Sequence, residues 1–382
     1  MKALVVGCGI AGSVTAVALR RAGIDATVCE AYDRSADGVG AYLSLMTNGL
    51  AVLDELGLLG EVVARGFSTP TLAVSTFYGK ELGRVSYGAR LRDGTGAHTI
   101  RRADLYQVLR DACERAGAPV VYGKRLVDAE TDADGVTARY ADGSTEHADV
   151  LIGADGLRST ARRIIVPDAP AIRYTGMMET GGYARGLSLD DEPGILRLTY
   201  GRNCLFCYIP HPNGEVWWFA QPPSKVEPGR AELAATPLDM LRKQILEQVA
   251  GDQSPATRII EATDQILRPW ATYDLPSLRT WHRGRMVLVG DAAHAASPAA
   301  GQGASMALED ALVLTKCLRD VDGVPQALAE FEARRRTRVE RVVAHAKRNS
   351  DLGIVGRIAA PLVFRNQTDL RWLTDHRETW AA

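Results

Sequence analysis

Gly7-Cys8-Gly9-Ile10-Ala11-Gly12 is the first place where residue type and spacing point to chemistry. In a G-x-G-x-x-G run the first glycine makes a tight turn and the second lets a pyrophosphate approach the backbone. The third lets a helix pack closely on a strand. The free N–H groups at the start of that helix, with Ala11 in its first turn, then face the phosphates. Glu30 lies 18 residues beyond Gly12. A carboxylate there accepts hydrogen bonds from an adenosine ribose and repels a 2′-phosphate. A chance glycine loop with a surface glutamate would not explain all of these parts together. The run does not by itself separate NAD from FAD.

Two later segments carry similar signals. Asp155-Gly156-Leu157-Arg158-Ser159-Thr160-Ala161-Arg162 follows an apolar run ending at Ile152. Gly290-Asp291-Ala292-Ala293-His294 follows Met286–Val289 and continues through Pro298 to Gly301-Gln302-Gly303-Ala304. Asp291 is expected at the carboxyl end of a parallel strand, where ligands bind in open α/β sheets. Its carboxylate suits ribityl hydroxyls. Residues 301–304 would offer backbone N–H groups to the electron-rich edge of a flavin at the start of a helix over 302–319. For His294 a structural hydrogen bond is expected rather than general-base work.

The elements that must position these residues can be read from periodicity. Residues 3–7, a helix over 10–22 and a strand over 26–30 make one βαβ unit. A helix is expected over 48–64, short strands over 72–78 and 81–87, and an amphipathic helix over 102–116. Strand-like runs at 195–200, 204–210 and 215–221 indicate an antiparallel sheet, followed by helices over 237–250 and 255–263. A parallel-strand run returns at 286–290, and a long charged helix spans 325–348. The order predicts an α/β fold in which one domain interrupts another.

The three motifs, in this order and at these separations, resemble the single-component FAD-dependent aromatic hydroxylases, the group A flavoprotein monooxygenases. The resemblance covers roughly residues 1–345. It implies a Rossmann-like FAD-binding domain over 1–71, 99–171 and 269–322. A substrate-binding β-sheet domain would cover 72–98 and 172–268, with C-terminal helices over 323–382. FAD, tightly but non-covalently held, would contact Gly7, Gly9, Ala11, Gly12, Glu30, Ser44, Arg102, Asp155, Asp291, Pro298, Gly301, Gln302, Gly303 and Ala304. Arg102 matches an R-x-x-L arginine, and the Asp155-Gly156 motif is similar to one serving both FAD and NAD(P)H, which makes Arg158 a nicotinamide-contact candidate. NADPH or NADH would bind transiently, since no second nucleotide fold is present. The chain departs from the family in the loop 40–49, where Tyr42 replaces a glycine and Thr47 a proline. Ala31 stands where Arg or Lys is usual, and Ser305 where Asn is common.

The resemblance implies an FAD-dependent monooxygenase that uses NAD(P)H and O2 to insert one oxygen atom into an organic substrate through a flavin C4a-hydroperoxide. The cofactor carries this chemistry, so no catalytic acid or base is assigned. The alternatives are another flavoenzyme of the same fold, a halogenase or oxidase, or a flavin-loaded binding protein that does not turn over. The halogenase pattern W-x-W-x-I-P is absent. Aromatics crowd the expected sheet: Tyr183, Tyr200, Phe206, Tyr208, Trp217, Trp218 and Phe219. Strand alternation puts Phe206 with Tyr208 on one face and Trp217 with Phe219 on another. An apolar aromatic or polycyclic substrate is expected, with Tyr200, Phe206, Tyr208, Trp217 and Phe219 as lining candidates and Arg185 or His211 for a polar group.

Composition narrows the partners. The formal charge is -1, with 45 basic and 46 acidic residues, which argues against nucleic-acid or anionic-membrane binding. The six cysteines are scattered, so a reduced, cytoplasmic setting is the expectation. Cys204-x-x-Cys207 places its thiols on opposite faces of a strand, and core packing is expected rather than a metal site. Residues 3–19 lack charge and imitate a signal peptide, but the three glycines explain the run better. Arg334, Arg335, Arg336, Arg338 and Arg341 fit a solvated helix face with i,i+4 partners at Glu330 and Glu332. A monomer or weak homodimer is expected.

Overall fold

The computed structural model describes residues 1–33, 41–351 and 371–381. Gly40 of the loop 40–49 and residues 352–370 of the C-terminal segment lie outside the described residues. The run Lys2–Val6 is apolar after its first residue, so it suits a strand covered on both faces. It pairs in parallel with Asp25–Cys29 and with Val150–Gly153. The six-stranded sheet has the order His282–Arg283, Met286–Leu288, Val150–Gly153, Lys2–Val6, Asp25–Cys29, Val120–Val121. Only the edge pair 282–283 with 286–288 is antiparallel. Residues 3–19, the apparent signal, are therefore core strand and helix. Among the described residues no helix is long and apolar enough to cross a membrane.

The second sheet has seven strands, in the order Trp270–Asp274, Arg173–Ala184, Val216–Gln221, Leu205–Pro210, Ile195–Tyr200, Thr71–Thr76, Glu81–Ser86. The strands between 173 and 221 pair antiparallel, as expected, and one parallel pair, Ile195–Tyr200 with Thr71–Thr76, joins them to a hairpin and makes the sheet mixed. The hairpin 71–86 comes from an earlier part of the chain, so no turn fixes its direction against 195–200. The chain also leaves this sheet only after Asp274, not at 268, since Trp270–Asp274 pairs with Arg173–Ala184. Arg173 holds that strand through Asp274 Oδ1 at 2.9 Å.

Each face of this sheet has its own partner. Phe206, Tyr208, Trp218 and Val216 pack against the helices Leu238–Val249 and Ala256–Glu261 through Leu241, Ile245, Ile259 and Ile260. Trp217, Ile209 and Leu196 face the other way, with Phe67, Tyr42, Tyr87 and Tyr183. Cys207 sits opposite Phe219 on that second face, whereas Cys204 packs with the helices behind. The single helix expected over 48–64 is two, Thr47–Glu55 and Leu59–Arg65. Between them Gly57 adopts φ +74°, a left-handed geometry that ends a helix.

The helix Val324–Asp351 corrects the reading of its arginines. Arg334 does pair with Glu330, at 2.6 Å, on the surface. Arg335, however, is 1% exposed and binds Glu309 Oε2 at 2.6 Å and Asp310 Oδ1 at 2.8 Å. Arg338 reaches Glu309 with two bonds of 2.8 and 2.7 Å. Burial opposes ionisation of both carboxyls. The charge of Arg335 and Arg338 on Glu309, and of His294 and Arg335 on Asp310, outweighs it and holds each at about 2.

A carboxyl held below its unfolded pKa adds stability that is present above the unfolded value and lost as pH falls through the folded one. Wild-type protein should therefore lose stability between pH 4.5 and about 2. Arg335→Leu leaves the two acids without their shared cation and should cost about 3–5 kcal/mol at neutral pH. Urea midpoints measured across that pH range check both, and the variant should show a much shallower acid limb.

Candidate active site

The three motifs meet at the carboxyl ends of the parallel strands. Gly7 adopts φ +104°, and a Cβ there would lie 2.6 Å from Ala154 O, which brings the first motif against the second. A Cβ on Gly12 would lie 1.9 Å from Gly7 O, so only glycine lets the helix Ile10–Arg21 start so close to the turn. Gly290, at φ +57°, comes within 2.9 Å of the Ala11 Cβ by the same measure, which joins the third motif to the first. Beside Gly9, by contrast, a Cβ would meet nothing within 4 Å. That open space borders the first turn of a helix, whose leading N–H groups have no partner within the helix. Glu30 turns toward the same loop, accepting Cys8 N–H at 2.8 Å and Tyr32 N–H at 3.0 Å. Each of its oxygens keeps a further acceptor site.

Asp291 opens the short helix Asp291–His294 after the strand Met286–Leu288, and its side chain is exposed with no partner among the described residues. Pro298 begins a 3-10 turn ending at Gly301, which adopts φ +60°. Gly301 and Gly303 are exposed, Ala304 is half-buried, and the helix Gly303–Asp320 starts there. Gln302 is different. It is buried, and its side chain accepts from Asn48 Nδ2 at 2.8 Å. Arg102 begins the helix Arg102–Arg115, and its N–H binds Ala41 O at 3.0 Å. Burial opposes its charge, but Tyr106 and the carboxylates of Asp291 and Glu179 outweigh burial and raise its pKa. An open space at Gly9, an unpaired Asp291, exposed glycines and two helix starts fit a dinucleotide that ends in a flavin.

Other candidates are placed differently. Asp155 Oδ2 accepts Thr160 N–H at 2.7 Å and Ala161 N–H at 3.0 Å, and its other oxygen takes the Ser159 hydroxyl. Its carboxylate closes the turn of the second motif. Ser44 Oγ lies 2.7 Å from Thr99 Oγ1, tying its strand Tyr42–Leu45 to the strand His98–Arg101. Arg158 is exposed, 5.2 Å over the Tyr273 ring, with a 3.3 Å bond to its hydroxyl. Phe206 and Tyr208 must be withdrawn as pocket residues. Phe206 stacks on Trp218 at 5.6 Å, and the Tyr208 hydroxyl donates to Asp191 at 2.7 Å, on the helix side of the sheet. Arg185 and His211 lie at the edge of the aromatic face. Arg185 pairs with Glu215 at 2.9 Å, and His211 stacks on Trp217 at 5.0 Å. Tyr200, Trp217 and Phe219 share the face turned away from the helices, where Tyr42 comes within 5.5 Å of Trp217 and 6.1 Å of Phe219.

Glu309 and Asp310, which organise the site, were not singled out in the sequence. Arg162 is 5% exposed and donates to Ala292 O at 3.0 Å, linking the second and third motifs. His294 Nε2 lies 2.6 Å from Asp310 Oδ2, which also accepts Gly290 N–H at 2.9 Å. His294 is thus structural, as expected. Glu309 takes Asn48 Nδ2 at 2.7 Å. The adjacent acids Glu309-Asp310 inside the apolar run Met306–Leu314 were the available signal, since charges so placed must be partnered.

Residues 1–346 match the family described as "FAD binding domain". The chain is 33% identical over 358 residues to the FAD-dependent urate hydroxylase of Klebsiella pneumoniae, covering 92% of this chain and 90% of that one. It is 32% identical over 355 residues to the 3-amino-4-hydroxybenzoate 2-monooxygenase of Streptomyces cremeus, covering 90% and 85%. The structure of Klebsiella pneumoniae HpxO complexed with FAD and uric acid superposes with a TM-score of 0.83 at 30% identity, over 96% of this chain and 93% of that one. The chain therefore belongs to the FAD-dependent aromatic hydroxylases. It is a flavoprotein monooxygenase whose cofactor is FAD.

The two glycines should separate folding from cofactor binding. Gly9→Val, beside open space, should fold with near wild-type stability but purify pale. Gly12→Val, against the Gly7 carbonyl, should fail to fold or lose well over about 3 kcal/mol. Asp291→Ala should retain the fold and lose FAD affinity by the worth of a charged hydrogen bond, about 1.5–3 kcal/mol. The ratio of flavin to protein absorbance, with thermal unfolding of each variant, checks all three.

Proposed function

We propose that the chain uses NADPH or NADH and O2 to hydroxylate a small aromatic or polycyclic molecule, one oxygen atom entering the product and the other leaving as water. The observation that carries this reading is the meeting of the FAD cradle with an aromatic sheet face. Asp291, Arg102 and the start of the helix Gly303–Asp320 lie on one side, and Trp217, Phe219, Tyr183 and Tyr42 on the other. When bound, FAD accepts hydride from the nicotinamide and activates dioxygen.

The remaining work falls to the chain. Gly7, Gly9, Ala11 and Gly12 with the first turn of the helix Ile10–Arg21 hold the pyrophosphate, and Glu30 holds the adenosine ribose. Asp291 anchors the ribityl chain. Backbone N–H groups after Gly301, in Gln302, Gly303 and Ala304, face the edge of the flavin that gains negative charge on reduction. Pro298 and Ser44 shape the same cleft. The aromatic face supplies flat apolar walls on which a ring stacks, and it keeps water from the reacting centre. Arg158 and Tyr273 offer an exposed cation and ring for transient contact with the nicotinamide nucleotide. The FAD-binding part comprises 1–71, 99–171 and the chain after Asp274. The seven-stranded sheet forms the substrate-binding part, and the protein acts as a monomer or weak homodimer.

NADPH and NADH oxidation should rise on addition of a correct aromatic ligand, with one atom of labelled O2 recovered in the product. Uric acid and 3-amino-4-hydroxybenzoate are the first compounds to try. Flavin that no nicotinamide reduces would instead favour a binding protein. Arg158→Ala should slow flavin reduction roughly tenfold, the worth of one lost charged contact of about 1.4 kcal/mol, and leave FAD content unchanged. Stopped-flow reduction beside absorbance of bound flavin distinguishes the two effects.

A further inference from the structure

The aromatic face is covered in this structure. Trp217, on which a substrate ring would stack, is only 3% exposed. Four rings shut it off. Phe67 lies edge-on at 5.1 Å, Tyr183 edge-on at 5.2 Å, His211 stacked at 5.0 Å and Tyr42 tilted at 5.5 Å. Tyr42 also packs on Phe219, at 6.1 Å. A flat molecule reaches Trp217 only if one of these covers leaves.

The four are not held alike. Phe67 is core, and its short strand pairs with Thr99. The Tyr183 ring carries the Arg101 guanidinium at 4.6 Å, and Arg101 is itself paired with Glu215 at 3.1 Å. His211 Nδ1 accepts Asn213 N–H at 3.0 Å. Tyr42 is the one ring of the four with a buried polar atom that has no hydrogen-bond partner among the described residues, its hydroxyl. Burial, with Cys207, Tyr183, Glu179 and Tyr87 around it, pushes the Tyr42 pKa well up, so the hydroxyl keeps its proton. A neutral O–H taken out of water and left unpaired opposes the packing that buries it. The Tyr42 backbone, by contrast, is fixed. Its strand runs in register with Arg101, Ile100 and Thr99, and Ser44 Oγ lies 2.7 Å from Thr99 Oγ1.

We propose that the Tyr42 ring stands in for the substrate on the aromatic face and gates the pocket, turning out about its side-chain torsions when a flat ring replaces it on Trp217 and Phe219. This rests on the hydroxylase reading above and adds to it the residue that controls entry. The exchange is nearly balanced. The incoming ring restores the aromatic packing that Tyr42 gives up, and the Tyr42 hydroxyl gains the water that it lacks while buried. No backbone movement is needed, since a side chain has other staggered wells. The covered and uncovered states thus differ by one aromatic contact and one unpaired hydroxyl. Edits confined to residue 42 shift their populations, and ligand affinity follows the uncovered fraction.

The probe is indole, titrated by calorimetry into the FAD-loaded full-length enzyme and two variants. Tyr42→Ala removes the cover and should bind indole at least about tenfold more tightly than wild type. Tyr42→Phe keeps the cover and removes the unpaired hydroxyl. It should bind indole several-fold more weakly than wild type and unfold at a higher urea concentration. A Tyr42→Ala variant that binds indole no better than wild type overturns the proposal. A Tyr42→Phe variant that is less stable than wild type, or binds indole as well, does the same, because the hydroxyl was then not a cost to the covered state. If Tyr42→Ala fails to fold or to hold FAD, the two Tyr42→Phe measurements decide. The expected affinity series without nicotinamide oxidation stimulated by uric acid, 3-amino-4-hydroxybenzoate or indole would uphold the gate and remove the hydroxylase reading.

Discussion

The buried ion cluster of Glu309, Asp310, Arg335 and Arg338 is the interaction on which the architecture of the cofactor cleft depends. Charges taken out of water are tolerated only when paired and fully hydrogen-bonded, and here the partners come from several functional segments. Asp310 receives His294 and the N–H of Gly290, which fixes the turn carrying Asp291. Glu309 receives Asn48, which in turn holds Gln302 at the start of the helix Gly303–Asp320. Arg338 also donates to the carbonyls of Trp372 and Leu373, both at 3.0 Å, so the described C-terminal residues are tied to the same centre. Thr47 Oγ1 binds Thr374 O at 2.9 Å and closes the circuit to the loop bearing Tyr42.

This arrangement explains why the outward side of the cleft can be left open. Asp291, Gly301 and Gly303 are exposed, and the first-turn N–H groups of two helices are unpaired within their helices. Such groups would be a liability in a folded protein without a ligand. They are affordable because the residues immediately behind them, His294, Gln302 and Arg162, are buried and held. Preorganisation of this kind lets the cofactor bind without ordering the loop at the same moment.

The substrate side follows a different logic. A sheet with both faces covered needs two apolar surfaces, and strand alternation deals aromatics to each. Phe206, Tyr208 and Trp218 serve the helices behind, whereas Trp217, Phe219 and Tyr183 meet Tyr42 in front. Tyr42 fills space between its loop and the sheet, packing on Trp217 and Phe219. Its unpartnered hydroxyl and the nearby Glu179 give that front face a polarity that the list of aromatics does not convey.

The sequence by itself determined the cofactor motifs, the α/β class and the alternation of the central strands, because each rests on local rules: glycine where no Cβ fits, and a period of two along a strand. Gly12 is legible from spacing alone, and the Gly7 carbonyl 1.9 Å from its would-be Cβ gives the reason. Parity also separated Phe206 and Tyr208 from Trp217 and Phe219. Which of the two faces packs on the helices behind and which meets Tyr42 was decided only in tertiary structure, since alternation is symmetric and both faces are apolar. The same holds for the charges. Arg334 and Arg335 are neighbours in one basic stretch, yet one pairs with Glu330 at the surface and the other is buried between Glu309 and Asp310. Successive helix positions point about 100° apart, and only the packing of Val324–Asp351 against Gly303–Asp320 settles which of them meets water and which meets a carboxylate.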